Sequence, residues 1–271
     1  HDLISSDRRN PTVNAFGPLF GSPEYSTDIM PILDPRTHRV TSFKMPVRDP
    51  DMPLSLGPGH AAALQPAAPS PYWGDDQIWD TRANNHNAMF DHLGRLWSAA
   101  SIRAPANPAW CRKGSEHPSA RAFPLDQAAR HVTILDPRSM QYTFVDTCFG
   151  THHLQFGYDA DNTLWLSGTG QVAGWINMRV FDETGDAAKA QGWSPFVLDT
   201  NGNGKRDEYV EPNQPADPAK DRRYNPGSGP YAVLPHPTDG SVWYTVGVFG
   251  GAPGFLRFDP RTQLSEVFHL P

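Results

Sequence analysis

Three times along the chain an apolar residue runs into Asp-Pro-Arg and then Thr or Ser, with a stretch of alternating polarity beyond. The copies are Ile32-Leu33-Asp34-Pro35-Arg36-Thr37, Ile134-Leu135-Asp136-Pro137-Arg138-Ser139 and Arg257-Phe258-Asp259-Pro260-Arg261-Thr262. Each predicts a strand, a tight turn with Pro at its first central position, and a returning strand. Val40-Thr41-Ser42-Phe43 and Leu264-Ser265-Glu266-Val267-Phe268 are two of the returns. A second element alternates with the first: a short turn carrying Asp, Asn or Gly, then an apolar residue and Trp. It occurs at Asp91 to Trp97, Asp159 to Trp165 and Thr238 to Trp243, each with turn residues that accept positive φ. Alternation of two β elements leaves little room for any architecture but a repeated all-β one.

The unit so defined is a hairpin, a Trp strand, a strand ending in Asp and an outer strand. Phe181-Asp182-Glu183 supplies the strand end after Trp165 by spacing. Between Trp97 and Asp136 the interval is much longer, and an insertion of roughly 22 residues holding Cys111 accounts for it; without it the Trp-to-Trp repeat is about 46 residues, the size of a four-stranded propeller blade. The fold class expected is therefore an all-β propeller of four-stranded blades with long inserted loops, a β-sandwich being the alternative. Blades are expected at about 13–47 (an outer half), 80–150, 151–211 and 229–271, with 48–72 a Pro/Ala-rich connector. Heavy insertions use up the length after three and a half blades, so the expectation is one domain that forms a segment of a 6–7-bladed propeller.

Composition narrows the classes further. The 271 residues include 28 Pro and 23 Gly, about a fifth of the chain where average usage gives roughly 12%. Proline locks φ and removes a donor, which excludes a helical bundle. Aromatics at 11% and a net charge of only −6 exclude a wholly disordered chain. No basic block exists to neutralise phosphates, so nucleic acid is not expected as a partner. No apolar run approaches the ~18 residues of a transmembrane helix. The two cysteines, Cys111 and Cys148, suit one disulfide in a periplasmic or secreted protein, with two buried thiols as the alternative.

Two groups of residues carry candidate chemistry. In Asp199-Thr200-Asn201-Gly202-Asn203-Gly204-Lys205-Arg206-Asp207, side-chain oxygens fall at positions 1, 3, 5 and 9 and Gly at 6. A hard cation such as Ca²⁺ takes six to eight oxygens from a tight loop, and the Lys205 carbonyl adds one to the set of Asp199, Asn201, Asn203 and Asp207. Position 12 is Val210, so no EF-hand is expected; a cation-free Asn/Gly turn is the alternative. The second group is His86, four residues before Phe90, and His152 with His153, four and three before Phe156. Blade-start residues line a channel mouth, where imidazoles would bind a second divalent or transition metal or act as acid and base. Tyr231 holds the corresponding place in the last blade. The plainer alternative is that these histidines only bond neighbouring loops. Asp75, Asp76 and Asp80 beside Trp73 and Trp79 suit a solvated loop better than a sugar platform, and Trp175 and Trp193 suit core better than a ligand face. His1 as a copper-chelating terminus is the least favoured reading.

The blade grammar resembles that of streptogramin B lyase-like propellers. Asp7-Arg8-Arg9-Asn10-Pro11-Thr12-Val13-Asn14-Ala15, Thr147-Cys148-Phe149-Gly150-Thr151-His152-His153-Leu154 and Val197 through Pro215 are more closely similar to exported bacterial proteins labelled as carboxypeptidase-regulatory-like-domain proteins. That resemblance covers most of the chain. It implies a longer protein, with a c-type haem segment upstream and more blades downstream. The Trp-Phe-Thr-Glu of the lyases, whose Glu helps hold Mg²⁺, is replaced by Trp97-Ser98-Ala99-Ala100, Trp165-Leu166-Ser167-Gly168 and Trp243-Tyr244-Thr245-Val246. Two functions are thus expected. One is an exported metal-binding propeller with lyase- or oxidase-like chemistry at His86, His152, His153 and Tyr231, acting on a small or oligomeric substrate. The other is a non-catalytic, Ca²⁺-stabilised scaffold partnering a c-type haem domain.

Overall fold

The alternation read from the sequence becomes antiparallel sheet. A computed structural model describes residues 7–24, 26–51, 81–168, 171–227, 229–248 and 250–271. Asp75, Asp76, Asp80, Trp73, Trp79, His1 and most of the 48–72 connector lie outside the described residues. The chain is 37% strand and 8% helix, so it is all-β, and its sheets stay open rather than closing into a barrel. It divides into two units, residues 1–105 with 129–146, and residues 106–128 with 147–271.

In the first unit, β1 (Leu19–Phe20), β2 (Ile29–Asp34) and β3 (Arg39–Lys44) form one three-stranded sheet. β4 (His86–Phe90), β5 (Leu96–Ile102), β6 (Arg130–Asp136) and β7 (Gln141–Val145) form a four-stranded meander. Phe20 and Met30 from the first sheet bury against Ala88, Phe90, Leu96 and Leu135 from the second. Phe20 and Phe90 meet edge to face at 5.7 Å, a favoured aromatic geometry.

In the second unit, β8 (His153–Phe156), β9 (Leu164–Ser167), β10 (Val172–Ile176) and β11 (Gln191–Pro195) form another four-stranded meander. A seven-stranded sheet contains β12 (Val197–Leu198), β13 (Tyr209–Val210), β14 (Asp221–Arg223), β15 (Val233–Pro235), β16 (Val242–Val246), β17 (Gly254–Asp259) and β18 (Leu264–His269), in the order β13-β14-β12-β18-β17-β16-β15. Its antiparallel β15–β18 part is the last repeat, extended sideways because β12 pairs with β18 in parallel. Period-two burial in β16 places Val242, Tyr244 and Val246 inward, where Leu256, Phe258 and Trp165 meet them. Each such side chain contributes roughly 1.5–3 kcal/mol by leaving water.

The repeated motifs form repeated turns. Asp34, Asp136 and Asp259 each accept the amide of the Arg two residues on, at 2.8–2.9 Å. The residue before each returning strand (His38, Met140 or Gln263) is left-handed, with φ of 55°, 57° and 58°. The hairpins before the Trp strands repeat as closely: Gly94, Asn162 and Gly240, three residues before Trp97, Trp165 and Trp243, all have positive φ. Asp182 departs from the expected pattern. It lies in helix α2 (Met178–Thr184), counted after α1 (Pro118–Ala122) and before α3 (Ala187–Ala190), rather than at a strand end. Local chemistry explains this: the Asn177 side chain caps the Val180 amide and Gly185 closes the helix at φ 64°.

The insertion at 106–128 belongs to the second unit. Cys111 and Cys148 form the disulfide, with Cα atoms 5.5 Å apart. Asn107 Nδ2 donates to the carbonyls of Leu125 and Cys148 at 2.9 and 2.7 Å, closing the insertion on itself and on the strand connection. Trp193, 2% exposed, donates its indole N–H to the Phe123 carbonyl and stacks on His117. Trp193 is core, as expected. Among the described residues no helix is long and apolar enough to cross a membrane; with the disulfide, this is compatible with export.

Candidate functional site

Strand register places the predicted histidines. In the second unit, His153 opens β8 opposite Ser167, two residues past Trp165. His152 precedes it, its amide donating to the Ser167 carbonyl at 2.6 Å. That approach depends on Gly168: a Cβ there would meet the Gly150 carbonyl oxygen at 2.5 Å. The last repeat delivers Tyr231 by the same rule, its amide donating to Thr245, two residues past Trp243.

These three side chains come together. The rings of His152 and His153 lie 4.4 Å apart, and Tyr231 stands 5.1 and 4.6 Å from them. Each imidazole offers a ligand nitrogen within 4.8 Å of the other's. The Tyr231 carbonyl faces His153 Nδ1 at 2.8 Å and also accepts from Ser167 Oγ. A carbonyl only accepts, so Nδ1 must carry the proton and Nε2 the lone pair. A backbone carbonyl holding one ring nitrogen is a common preparation of a metal-ligating histidine.

In the first unit, His86 opens β4 and is fully buried. Its Nδ1 lies 2.9 Å from Glu24 Oε2, an ion-pair distance in a setting almost closed to water. Left-handed Asn84 and Asn87, with φ 54° and 47°, bracket the residue, and β4 bulges between His86 and Met89. His86 pairs with Ala99, two residues past Trp97. By register its counterpart is therefore His153, not the His152 that counting back from Phe90 and Phe156 selects.

The predicted cation loop joins β12 to β13. Asp199 Oδ1 accepts from the amides of Gly202 and Asn203, at 2.7 and 3.1 Å, and Oδ2 from Gly204 at 2.8 Å. Asn203 Oδ1 accepts the Lys205 amide at 2.8 Å. The side-chain amides of Asn201 and Asn203 both donate to Asp207 Oδ2 and hold that carboxyl below the usual carboxylate range. Gly202 and Gly204 are left-handed, at φ 77° and 73°, which only glycine adopts at little cost. The loop thus gathers Asp199, Asn201, Asn203, Lys205 and Asp207 into one tight turn.

Two features escaped the sequence reading. His131 on β6 is 1% exposed and lies among Arg48, Arg103 and Asp146, Arg48 being tied to Asp146 by two 2.8 Å bonds. Burial, opposed by Asp146 and aided by the two arginines, depresses its pKa to about 3. Its place on an alternating strand was the signal available. The other is a cleft of about 380 Å³ lined by Tyr158, Trp165, His236 and Asp239. It lies at the 157–163 and 235–240 hairpins, the opposite strand ends from His153 and Tyr231, so it belongs to a different surface.

No protein-family model and no curated protein matches this chain.

Proposed function

We propose that this chain is an exported β-propeller segment that binds a divalent or transition-metal ion through its blade-start imidazoles. The observation that carries the reading is the Tyr231 carbonyl on His153 Nδ1, which leaves Nε2 as the coordinating atom beside His152. His86, in the first unit, has its Nδ1 2.9 Å from the Glu24 carboxylate. The repeat register alone counts it as the third candidate ligand. Imidazole ligation suits Zn²⁺, Cu²⁺ or Fe²⁺ better than Ca²⁺. Such an ion beside the Tyr231 phenol supports lyase- or oxidase-like chemistry on a small or oligomeric substrate. Elemental analysis and zinc titration of the wild type against His86→Ala, His152→Ala and His153→Ala test this. One equivalent of metal, lost in His152→Ala and His153→Ala, is expected; equal content in all four proteins refutes the site.

A second reading is a Ca²⁺-stabilised scaffold, favoured by the 199–207 loop, in which two carboxylates and two Asn side chains crowd one glycine turn. Rotating either Asn amide by 180° exchanges its N–H₂ for an oxygen, completing a hard-cation donor set. A c-type haem partner, the propeller architecture and the periplasmic or secreted location rest on the repeat grammar and the resemblance. A chelator-dependent fall in melting temperature without metal-dependent turnover selects this second reading.

A further inference from the structure

The cleft beside Trp165 lies wholly within the second unit, and the hairpin forming one of its walls differs from its counterparts. In the first repeat, Asp91 Oδ1 accepts the amides of Leu93 and Arg95, and Oδ2 accepts the Trp97 indole N–H at 2.9 Å. In the last repeat the Trp243 indole donates to Ser241 Oγ at 3.0 Å. Asp159 precedes Trp165 by the same interval as Asp91 precedes Trp97, and it builds the same turn. Its Oδ1 accepts the amides of Asp161 and Thr163 at 3.0 and 3.3 Å. Yet neither Asp159 Oδ2 nor the Trp165 indole N–H has a hydrogen-bond partner among the described residues, although Trp165 is only 6% exposed. Loop length is the cause: five residues join β4 to β5, whereas seven join β8 to β9, beginning with Gly157 and Tyr158. A Cβ on Gly157 would sit 2.5 Å from Asp159 Oδ2 and 3.3 Å from the Trp165 indole nitrogen, so both atoms border one slot that the glycine leaves open. A nearly buried N–H without an acceptor is costly, and proteins retain such a donor where a ligand completes it.

We propose that this cleft is a saccharide site, in which one sugar hydroxyl enters the slot, donates to Asp159 Oδ2 and accepts from the Trp165 indole. A hydroxyl can do both, because it carries one donor and two lone pairs. A bare cation would meet the indole N–H, which only donates, and an anion would meet the carboxylates of Asp159 and Asp239 on the walls. The rest of the surface suits the apolar face of a sugar ring: Tyr158 is 42% exposed, and Pro235, Pro237 and Pro260 line the cleft with it. The charged groups opposite are already engaged, Arg261 with Asp259 and Asp239 with Ser241, so they do not compete for the slot. At about 380 Å³ the cleft falls within the roughly 300–1,000 Å³ of small-molecule sites. It shares no residue with the histidine cluster or the 199–207 loop, so it is independent of either metal.

The test is calorimetric titration of the wild type, Asp159→Asn and Gly157→Ala with glucose, galactose, N-acetylglucosamine and cellobiose. Asp159→Asn keeps the turn, because its amide oxygen can still accept from Asp161 and Thr163, but it places N–H₂ where the sugar needs an acceptor. Gly157→Ala fills the slot with a methyl group. The wild type is expected to bind at least one of the sugars, and each variant to bind it about tenfold or more weakly. One monodeoxy analogue of that sugar should lose a similar factor on the wild type and nothing further on Asp159→Asn. Thermal melting without sugar establishes that the variants are folded; if Gly157→Ala is not, Asp159→Asn carries the test alone. Binding of none of the four sugars by the wild type overturns the proposal, and so does unchanged affinity in Asp159→Asn.

Discussion

Two insertions belong to the second unit, one leaving the first unit's meander between β5 and β6 and one between β12 and β13, and they are held in opposite ways. Residues 106–128 are tied down by a disulfide, by Asn107 bridging two carbonyls and by the stacked, buried Trp193. Residues 199–207 are held by polar contacts, chiefly carboxylates and Asn side chains turned onto the loop's own amides and onto each other, with Arg206 bonded outside it to Ser194 and Gln263. Covalent and apolar anchoring does not depend on pH or on dissolved ions. Oxygen anchoring does, because the same atoms bond to protons, cations or water according to conditions. The first insertion is permanently part of the scaffold, whereas the second is conditional.

Mutations can break this contrast, beginning with the largest effect. Trp193→Ala removes a fully packed indole and its bond to Phe123, and should cost about 3–5 kcal/mol in denaturant unfolding. Replacing Cys111 and Cys148 together with Ser should cost about 2–4 kcal/mol. Hydrogen exchange in that variant should rise across 106–128 and stay unchanged across 199–207; a rise in both would end the distinction.

Acid sharpens the comparison. Asp207, its carboxyl held low by Asn201 and Asn203, contributes loop stability that is present above the ordinary carboxylate pKa and lost as pH falls through the folded value. Exchange at 199–207 should therefore quicken at low pH, while the disulfide-bound segment is held by a bond that does not titrate. Global stability has a separate acid term from the first unit. His131 is neutral when folded, down to about pH 3, but binds a proton below about 6.5 when unfolded. The unfolded state then holds more protons, so stability falls as pH drops through that window, by about 1.4 kcal/mol per unit. Lowering the pH from 6.5 to 5 should cost about 2 kcal/mol, and His131→Phe should flatten that slope.

The smallest effects lie at single polar atoms. Asp199→Ala in calcium-free buffer should cost about 1 kcal/mol, through the lost amide bonds. Tyr244 is fully buried with no partner for its hydroxyl among the described residues, and burial holds its pKa far above the ordinary phenol value. Tyr244→Phe should leave stability unchanged or raise it by up to about 1 kcal/mol. A loss of more than that would mean the hydroxyl has a partner in solution.

The repeat turns were readable because their causes are local. An Asp two residues before an Arg amide, and a Gly or Asn three residues before Trp, act on neighbours in the chain. The disulfide was readable because only two cysteines exist. Counting along the chain failed where geometry inserted or removed a residue. The bulge after His86 shifts its register by one, so His153 rather than His152 is its counterpart. Asp182 matched by spacing, yet Asn177 and Gly185 start and stop a helix around it.

Sequence by itself determined an all-β chain with two alternating turn types, the crowded Asn/Gly loop and the histidines at the starts of β4 and β8. Only tertiary structure decided what those side chains face: the Tyr231 carbonyl on His153, Glu24 on His86, Asp221 beneath the loop and the buried setting of His131. The division follows from range. Turn chemistry is settled by dihedral preference and hydrogen bonds within a few residues, whereas the partner of an imidazole or buried carboxylate depends on tertiary packing that brings distant residues within 3 Å of each other.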